Sequence, residues 1–260
     1  MTTPKSLPAL LAFSSALRAV RTDREQGLRR FADKLGVSAQ TLSNWETGKR
    51  APAIDEVAHL LGFLRVSPAE HQRVMRLWHQ LDSPTFIEIP GTDTSLQQKL
   101  DEFAVRVWEW APHTVPEPLQ TVEYARAILQ RDQTPLDDVD VELFLRQARQ
   151  LDRKQPRCRT VLLSHAALAP APESQLHAIK TMSDRPQLRI MLVPVTGTVR
   201  TIEPFTIYET DSKAFTVAFP HHDNVIFVSE RNLVQSYRST FKKLEREAID
   251  HVDRREGMRA

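Results

Sequence analysis

The spacing of apolar residues changes once along this chain of 260 residues, and that change restricts its possible folds more than any other feature. Up to residue 81, apolar side chains recur every three or four positions, which predicts helices. Beyond residue 159 they stand mainly in short runs rich in Val, Ile, Thr and Phe, which predicts strands. We therefore expect an all-α domain of five helices followed by an α/β domain with a mixed sheet.

Prolines and a glycine mark the boundary between the two domains. Residues 82–94 contain Pro84, Pro90 and Gly91 between alternating apolar side chains, which predicts an extended linker. The predicted organisation is a first domain over 1–81, this linker, a second domain over 95–250 and a tail over 251–260.

Periodicity and capping residues place the elements within each domain. In the first domain the best-marked helix begins at Pro68, because Ser67 and Glu70 form a capping-box pattern around it. The five helices predicted there cover 8–22, 28–35, 39–47, 54–64 and 68–81. The second domain is predicted to have helices at 95–108, 121–131, 138–153, 173–182 and 232–249, and strands at 160–164, 188–193, 205–209, 214–219 and 225–229. The helix between the first two strands predicts a parallel pair, and the later close strands predict an antiparallel meander.

Charge is unevenly distributed, although the net charge of the whole chain is only +2. Residues 1–81 contain twelve Lys and Arg and seven Asp and Glu, so they carry +5 and the rest of the chain carries −3. A local positive field of this kind favours binding to phosphates.

The segment from Gly36 to Arg50 has the features of a helix that enters a DNA groove. Gly36 can end the preceding helix in the left-handed conformation, and Ser38 can cap the next one. With Leu42 and Trp45 on the apolar face, the opposite face is small, uncharged and polar: Ala39, Gln40, Ser43, Asn44 and Thr47. The plainer alternative is a short bundle helix whose polar residues merely face water.

Side chains of this type suit base reading in the major groove. The amides of Gln40 and Asn44 can bond bidentately to adenine, and Ala39 can touch a thymine methyl group. Basic side chains flank this face on both sides and can reach backbone phosphates: Arg29, Arg30, Lys49 and Arg50. We therefore predict Ala39, Gln40, Ser43 and Asn44 as the base-reading residues.

The motif Gly36-Val37-Ser38 through Gly48-Lys49-Arg50 resembles the XRE family of helix-turn-helix regulators. The resemblance covers about residues 8–81 and implies that Ala39, Gln40 and Asn44 read bases. It further implies backbone contacts for Ser38, Thr41, Lys49 and Arg50, and an ion pair between Arg21 and Glu46. Where this family usually has Gly-Leu, the chain has Glu25-Gln26, with Gly27 shifted.

The second half is similar to the DUF5753 domain of actinobacterial, WhiJ-like regulators. The resemblance rests on short motifs between about residues 98 and 250, including Val107-Trp108-Glu109-Trp110-Ala111-Pro112, Arg185-Pro186-Gln187 and Pro204-Phe205-Thr206. It implies a domain that serves a partner or effector, often a small DUF397-type protein.

An enzyme is the alternative of a different class. Its candidate residues are His221-His222-Asp223, Ser164 with His165, and the acidic cluster Asp137, Asp138, Asp140 and Glu142. The histidines fit a solvated turn better, the acidic cluster suits the start of a helix, and no phosphate-binding or dinucleotide glycine motif is present. We expect no catalytic residue, metal or cofactor.

The sequence thus predicts a sequence-specific, DNA-binding transcription regulator. Cys158 is the single cysteine, and Arg18, Arg21 and Arg24 follow the first apolar run too soon for a signal peptide, so we expect a cytoplasmic protein without a membrane span. For the second domain, binding of a small partner protein or homodimerisation is expected on grounds of symmetry and resemblance. A pocket for a small-molecule effector, for which Trp108, Trp110 and Tyr124 are compatible residues, remains the alternative.

Overall fold

The protein is described by a computed structural model, which covers residues 6–88, 96–131, 157–169, 171–194, 203–221 and 224–250. The chain divides into two compact units. The N-terminal unit holds the chain up to Glu88 together with Ile226–Glu230, and the C-terminal unit holds the rest. The predicted helix over 138–153 lies outside the described residues.

Five helices form the N-terminal unit, as predicted. They are α1 (Leu7–Thr22), α2 (Leu28–Leu35), α3 (Ala39–Glu46), α4 (Ile54–Phe63) and α5 (Pro68–His79). Their apolar faces meet in one core, in which Phe13, Leu17, Phe31, Leu42 and Trp45 are almost fully buried. The capping box at α5 is present: the amide of Glu70 donates to Ser67 Oγ at 3.3 Å, and the amide of Ser67 donates to Glu70 Oε2 at 2.7 Å.

Part of the predicted linker is a short strand. Strand β1 (Thr85–Glu88) belongs to the N-terminal unit, and so do residues 226–230. The amide of Ser229 donates to the carbonyl of Pro84 at 2.7 Å, which ties these two parts of the unit together. Phe86 of β1 is buried, so the strand contributes an apolar side chain to the packing of this unit.

The C-terminal unit is an α/β structure with a mixed sheet, as predicted. Its strands are β2 (Ala104–Ala111), β3 (Cys158–Ser164), β4 (Leu188–Val193), β5 (Phe205–Thr210) and β6 (Phe215–His221), followed by β7 (Asn224–Val228), of which only the first two residues belong to this unit, and β8 (Ile249–Asp250). The strands that lie wholly in this unit follow the spatial order β6-β5-β2-β3-β4-β8. Strand β3 is parallel to both β2 and β4, whereas β5 is antiparallel to β2 and to β6. The predicted parallel pair is confirmed by β3 and β4, and the first pair of the predicted antiparallel meander is confirmed by β5 and β6.

Helices cover both faces of this sheet. The helices of the unit are α6 (Leu96–Phe103), α7 (Val122–Arg131), α8 (His165–Leu168), α9 (Glu173–Ser183) and α10 (Arg231–Glu247), with a 3-10 turn at Glu117–Leu119. Helix α10 packs Phe241 and Leu244 against Leu162 and Phe205 on one face. On the other face, Tyr124 of α7 and Ile179 of α9 pack against Val161. The α7 and α10 faces of the sheet are therefore separate apolar layers.

Two predicted helices of this unit are too long, and the first of them covers the beginning of a strand that was not predicted. The helix predicted over 95–108 ends at Phe103, and β2 begins at Ala104 in the middle of the sheet. Neighbours on both sides explain the strand, since Trp108 is paired with Thr160 of β3 and with Ile207 of β5. The helix predicted over 232–249 ends at Glu247, because Ile249 leaves it to pair with Leu192 of β4.

The aromatic residues considered for a pocket belong to these layers. Trp110 and Tyr124 are buried, and Trp108 is half-buried against the α10 layer. The phenol of Tyr124 accepts from the amide of Val115 and donates to the carbonyl of Ala167, each at 3.1 Å. Tyr124 therefore joins the loop after β2 to helix α8.

Candidate nucleic-acid interface

A tight turn joins α2 to α3. Gly36 has φ +71°, a left-handed conformation that suits glycine, and it ends α2 as its C-cap. Two residues later Ser38 begins α3, and its Oγ accepts from the amide of Thr41 at 3.0 Å. The C-cap at Gly36 and the N-cap at Ser38 are thus only two residues apart. Together they define the short turn between the two helices.

The predicted base-reading residues share one face of α3. Gln40 is exposed, and Ala39, Ser43 and Asn44 are partly exposed. Leu42 and Trp45 point into the core and are at most 1% exposed. Buried anchors on one side and polar side chains on the other make this face available to a ligand.

Gln40 and Asn44 form a pair on this face. Gln40 Nε2 donates to Asn44 Oδ1 at 2.9 Å, across one turn of the helix. Within the part of the chain that the structure describes, no second partner is found for either side chain. Gln40 Oε1 and the Asn44 amide hydrogens therefore remain available to a ligand.

The predicted backbone-contacting residues lie on either side. Arg29 and Arg30 are exposed at the start of α2, and Lys49 and Arg50 are exposed just after α3. The remaining two lie at the first turn of α3, where Ser38 Oγ and Thr41 Oγ1 are 2.8 Å apart. No position in this set is buried, so all six side chains remain accessible.

Gly48 fixes where the chain leaves α3. Its φ is +73°, and a Cβ at this position would lie 2.9 Å from Leu11 Cδ2 of α1. The amides of Lys49 and Arg50 then turn back to the carbonyl of Asn44, at 3.0 and 3.2 Å. Two independent features favour glycine at position 48: the left-handed backbone angle and the close packing on α1.

A buried ion pair holds α3 against α1. Arg21 Nε and Nη2 donate to the two carboxylate oxygens of Glu46 at 2.6 and 2.7 Å, and the two side chains are only 8% and 3% exposed. Arg21 also donates to the carbonyl of Gln26. The hydrogen bond to Glu46 raises the pKa of Arg21 above its ordinary value. This contact sets the position of the polar face relative to the rest of the domain.

A second ion pair in this domain was missed from the sequence. Arg24 Nη2 donates to Glu70 Oε2 at 2.8 Å, and Arg24 Nε donates to the carbonyl of Leu64 at 2.8 Å. The bonds from Arg24 and Ser67 hold the pKa of Glu70 at about 2. The capping pattern revealed one partner of Glu70, but nothing local indicated Arg24, which lies 46 residues away. Nearby, Glu25 has φ +53° in the position where the XRE family usually has glycine.

The C-terminal unit contains a buried charged cluster that was also missed. Arg159 of β3 donates to Asp101 Oδ1 of α6 at 2.5 Å and to Glu109 Oε2 of β2 at 2.8 Å. Burial raises the pKa of Asp101 to about 6, although the charge of Arg159 opposes this. Burial by itself would lower the pKa of Arg159, but the two carboxylates raise it above its ordinary value. The pKa of Tyr208 beside them is raised, first by burial and then by Asp101. The cluster joins α6 to the sheet.

Three of the candidate enzyme residues, Ser164, His165 and His221, lie in the described ranges. Ser164 Oγ caps α8 by accepting from the amide of Ala167 at 3.2 Å, and it donates to the carbonyl of Pro112, while His165 is exposed. His221 ends β6, and His222, Asp223 and the acidic cluster from Asp137 to Glu142 lie outside the described residues. Among the residues described, no group of His, Cys, Asp and Glu has a metal-binding arrangement.

Family comparison agrees with the two-unit structure. Residues 97–259 match the family model described as Domain of unknown function (DUF5753). The chain belongs to this family. Residues 17–71, which include α2, α3 and α4, match the model described as Helix-turn-helix. Both resemblances inferred from the sequence are confirmed, and the N-terminal match supports a DNA-binding transcription regulator; the WhiJ-like assignment stays a prediction.

Two solved structures are similar to parts of the chain. The clp gene regulator ClgR from C. glutamicum is 26% identical with a TM-score of 0.25, over 31% of this chain and 99% of ClgR. TrmBL2, an archaeal chromatin protein, is 11% identical with a TM-score of 0.34, over 75% of this chain and 65% of TrmBL2. The search of curated proteins finds no match. None of the helices in the described ranges is both long and apolar enough to cross a bilayer.

Proposed function

We propose that the protein is a sequence-specific transcription regulator that inserts α3 into the major groove of an operator. The observation that carries this proposal is the polar face of α3, where Gln40 and Asn44 are paired at 2.9 Å and are flanked by exposed cations. A helix with such a face fits the major groove, where amide side chains meet the hydrogen-bonding edges of bases.

The pairing assigns different tasks to the two amides. Gln40 uses one Nε2 hydrogen for Asn44 and keeps Oε1 and the other hydrogen, which are the acceptor and donor that adenine requires. Asn44 Oδ1 already accepts one hydrogen bond, whereas both amide hydrogens of Asn44 are uncommitted, so its donors suit guanine O6 and N7 or thymine O4. We propose that Gln40 reads an adenine and that Asn44 reads an acceptor-rich edge beside it.

Alanine at Gln40 or Asn44 should weaken binding to the preferred duplex by about 1 to 3 kcal/mol and leave binding to unrelated duplexes nearly unchanged. Because the two amides are bonded, the double variant should cost less than the sum of the single variants. Affinities are measured by fluorescence anisotropy on duplexes obtained by selection from a random library.

Lys49→Ala and Arg50→Ala are the contrasting variants. Each removes an exposed cation next to α3 without touching its polar face, so each should weaken all duplexes and lower the slope of log affinity against log salt by about one. If Gln40→Ala weakened related and unrelated duplexes equally, Gln40 would not read bases. If no duplex were enriched by selection, sequence-specific binding itself would fail.

The C-terminal unit is proposed to assemble the regulator on DNA, as a homodimer and as the docking site of a small partner protein. One helix-turn-helix buries about 600 to 1,000 Å², so a pair on two half-sites is the usual route to tight binding. Exposed apolar side chains support a protein contact: Val122 on α7 is 42% exposed and Leu176 on α9 is 38% exposed.

Binding by the full chain should depend on the rotational phase of two half-sites. Inserting about five base pairs between them places the sites on opposite faces of the duplex, and the affinity should drop to that of a single site. Inserting about ten base pairs restores the same face and should restore most of the affinity. Equal affinity on all three duplexes would show that the chain binds as independent monomers.

A further inference from the structure

Helix α10 carries a row of cations on the C-terminal unit. Arg231, Arg238, Lys242 and Arg246 follow one another at intervals of seven, four and four residues, which places them within a sector of about 80° on the helix. We call these four residues the basic row. Three of them are exposed and Arg238 is half-buried, whereas Val234, Phe241 and Leu244 face the core.

Three members of the basic row have no ion-pair partner in the part of the chain that the structure describes. Among the residues that the structure describes, no carboxylate pairs with Arg231, Lys242 or Arg246. The carboxylate at the border of the row, Glu245, is instead 3.5 Å from Arg189 of β4. Arg231 stands at the first residue of α10, where the helix dipole disfavours a cation.

One member of the row is held in place by packing. The guanidinium carbon of Arg238 lies 4.1 Å from the centre of the Phe215 ring, a cation–π contact. This fixes one cation on the surface of the sheet while the others extend outward. The chain after residue 81 has a net charge of −3, so the row is a local positive surface on an acidic background.

The dimensions of the row match a nucleic-acid backbone. From Arg231 to Arg246 the helix rises about 22 Å, and neighbouring members are about 6 to 10 Å apart. One strand of B-DNA has a phosphate about every 3.4 Å along the axis, so members of the row can face every second or third phosphate. Charge and spacing are therefore complementary to duplex DNA.

We propose that the basic row of α10 is a second DNA-binding surface, which contacts backbone phosphates outside the base pairs read by α3. The proposal rests on the proposed function, because a duplex held by α3 is present at high effective concentration for any other part of the same chain. It adds affinity without sequence preference, since phosphates are the same on every duplex.

The test is the salt dependence of full-chain binding to a duplex that extends about two helical turns beyond the selected site. Lys242→Gln and Arg246→Gln should each lower the slope of log affinity against log salt by about one, and the double variant by about two. Base preference should stay the same in all three. The matched control is Lys180→Gln, an equal charge change on α9 at the opposite face of the sheet, which should leave the slope unchanged.

Three outcomes would overturn the proposal. The first is that the double variant leaves the slope of log affinity against log salt unchanged, whereas Lys49→Ala lowers that slope. This result would show that DNA contacts the residues next to α3 but not α10. The second is an equal fall with Lys180→Gln, which would reflect net charge alone. The third is an unchanged DNA slope together with lost binding to phosphatidylserine vesicles, which would assign the row to a membrane surface. If Lys49→Ala also left the salt slope unchanged and selection enriched no duplex, the proposed function itself would be wrong, and the proposal for α10 would fall with it.

Discussion

Replacing Glu46 with alanine should lower the free energy of unfolding by about 3 to 5 kcal/mol, because it leaves the guanidinium of Arg21 buried without its carboxylate. Arg21 is only 8% exposed and donates two hydrogen bonds to Glu46, so the variant leaves a buried charge and two donors without their carboxylate. Urea unfolding of the full chain measures the change. Hydrogen exchange of the amides in α1 and α3 should show that it arises there.

Two further variants separate the buried charge from general disruption. Replacing the pair together, as Arg21→Met with Glu46→Leu, removes both charges and should recover most of the lost stability. Asp211→Ala is the control for an ordinary ion pair, because Asp211 and Arg157 are 76% and 80% exposed at a distance of 3.8 Å, and it should have no measurable effect. A loss for Glu46→Ala no larger than that for Asp211→Ala would contradict the role of the buried pair.

The α2–α3 segment was predictable because its signals are local. Gly36 ends one helix and Ser38 caps the next within three positions, so adjacent residues already determine the turn. The observed elements begin and end close to the predicted ones for the same reason. Gln40 and Asn44 are also close in sequence, at a spacing of four residues. That spacing permits a hydrogen bond between them, but it equally permits two side chains that bond only to water, so the pair was not predicted.

Features that depend on distant residues were not predictable in this way. Strand β2 follows α6 without a break, and its β conformation is stabilised by β3 and β5, which lie about 50 and 100 residues further along the chain. Asp101 and Arg159 are separated by 58 residues, and neither position stands out in the sequence. Arg24 and Glu70 also form an ion pair between distant positions, 46 residues apart. A single sequence records such pairs only as isolated charges.

Replacing Arg159 with methionine should destabilise the C-terminal unit by about 3 to 5 kcal/mol near neutral pH. Methionine fills part of the space, but Asp101 and Glu109 are then left as two neighbouring carboxylates without a cation. Urea unfolding with hydrogen exchange of β2 and β3 measures the loss. Arg106→Met is the matched control on β2, because Arg106 is 63% exposed and lies 3.8 Å from Glu209, and it should change stability little.

The loss caused by Arg159→Met should be smaller at about pH 5 than at about pH 8. The pKa of Asp101 in the folded protein is about 6, above its ordinary value of 3.8, so the folded state binds this proton more tightly than the unfolded state. The stability from Asp101 is therefore fully present below its ordinary pKa and is lost as the pH rises through the folded pKa. Removing Arg159 takes away the charge that opposes the effect of burial, so the pKa of Asp101 rises further and the loss of stability continues to higher pH. A deficit that stayed constant between the two pH values would show that Arg159 stabilises the sheet by packing and not by its charge.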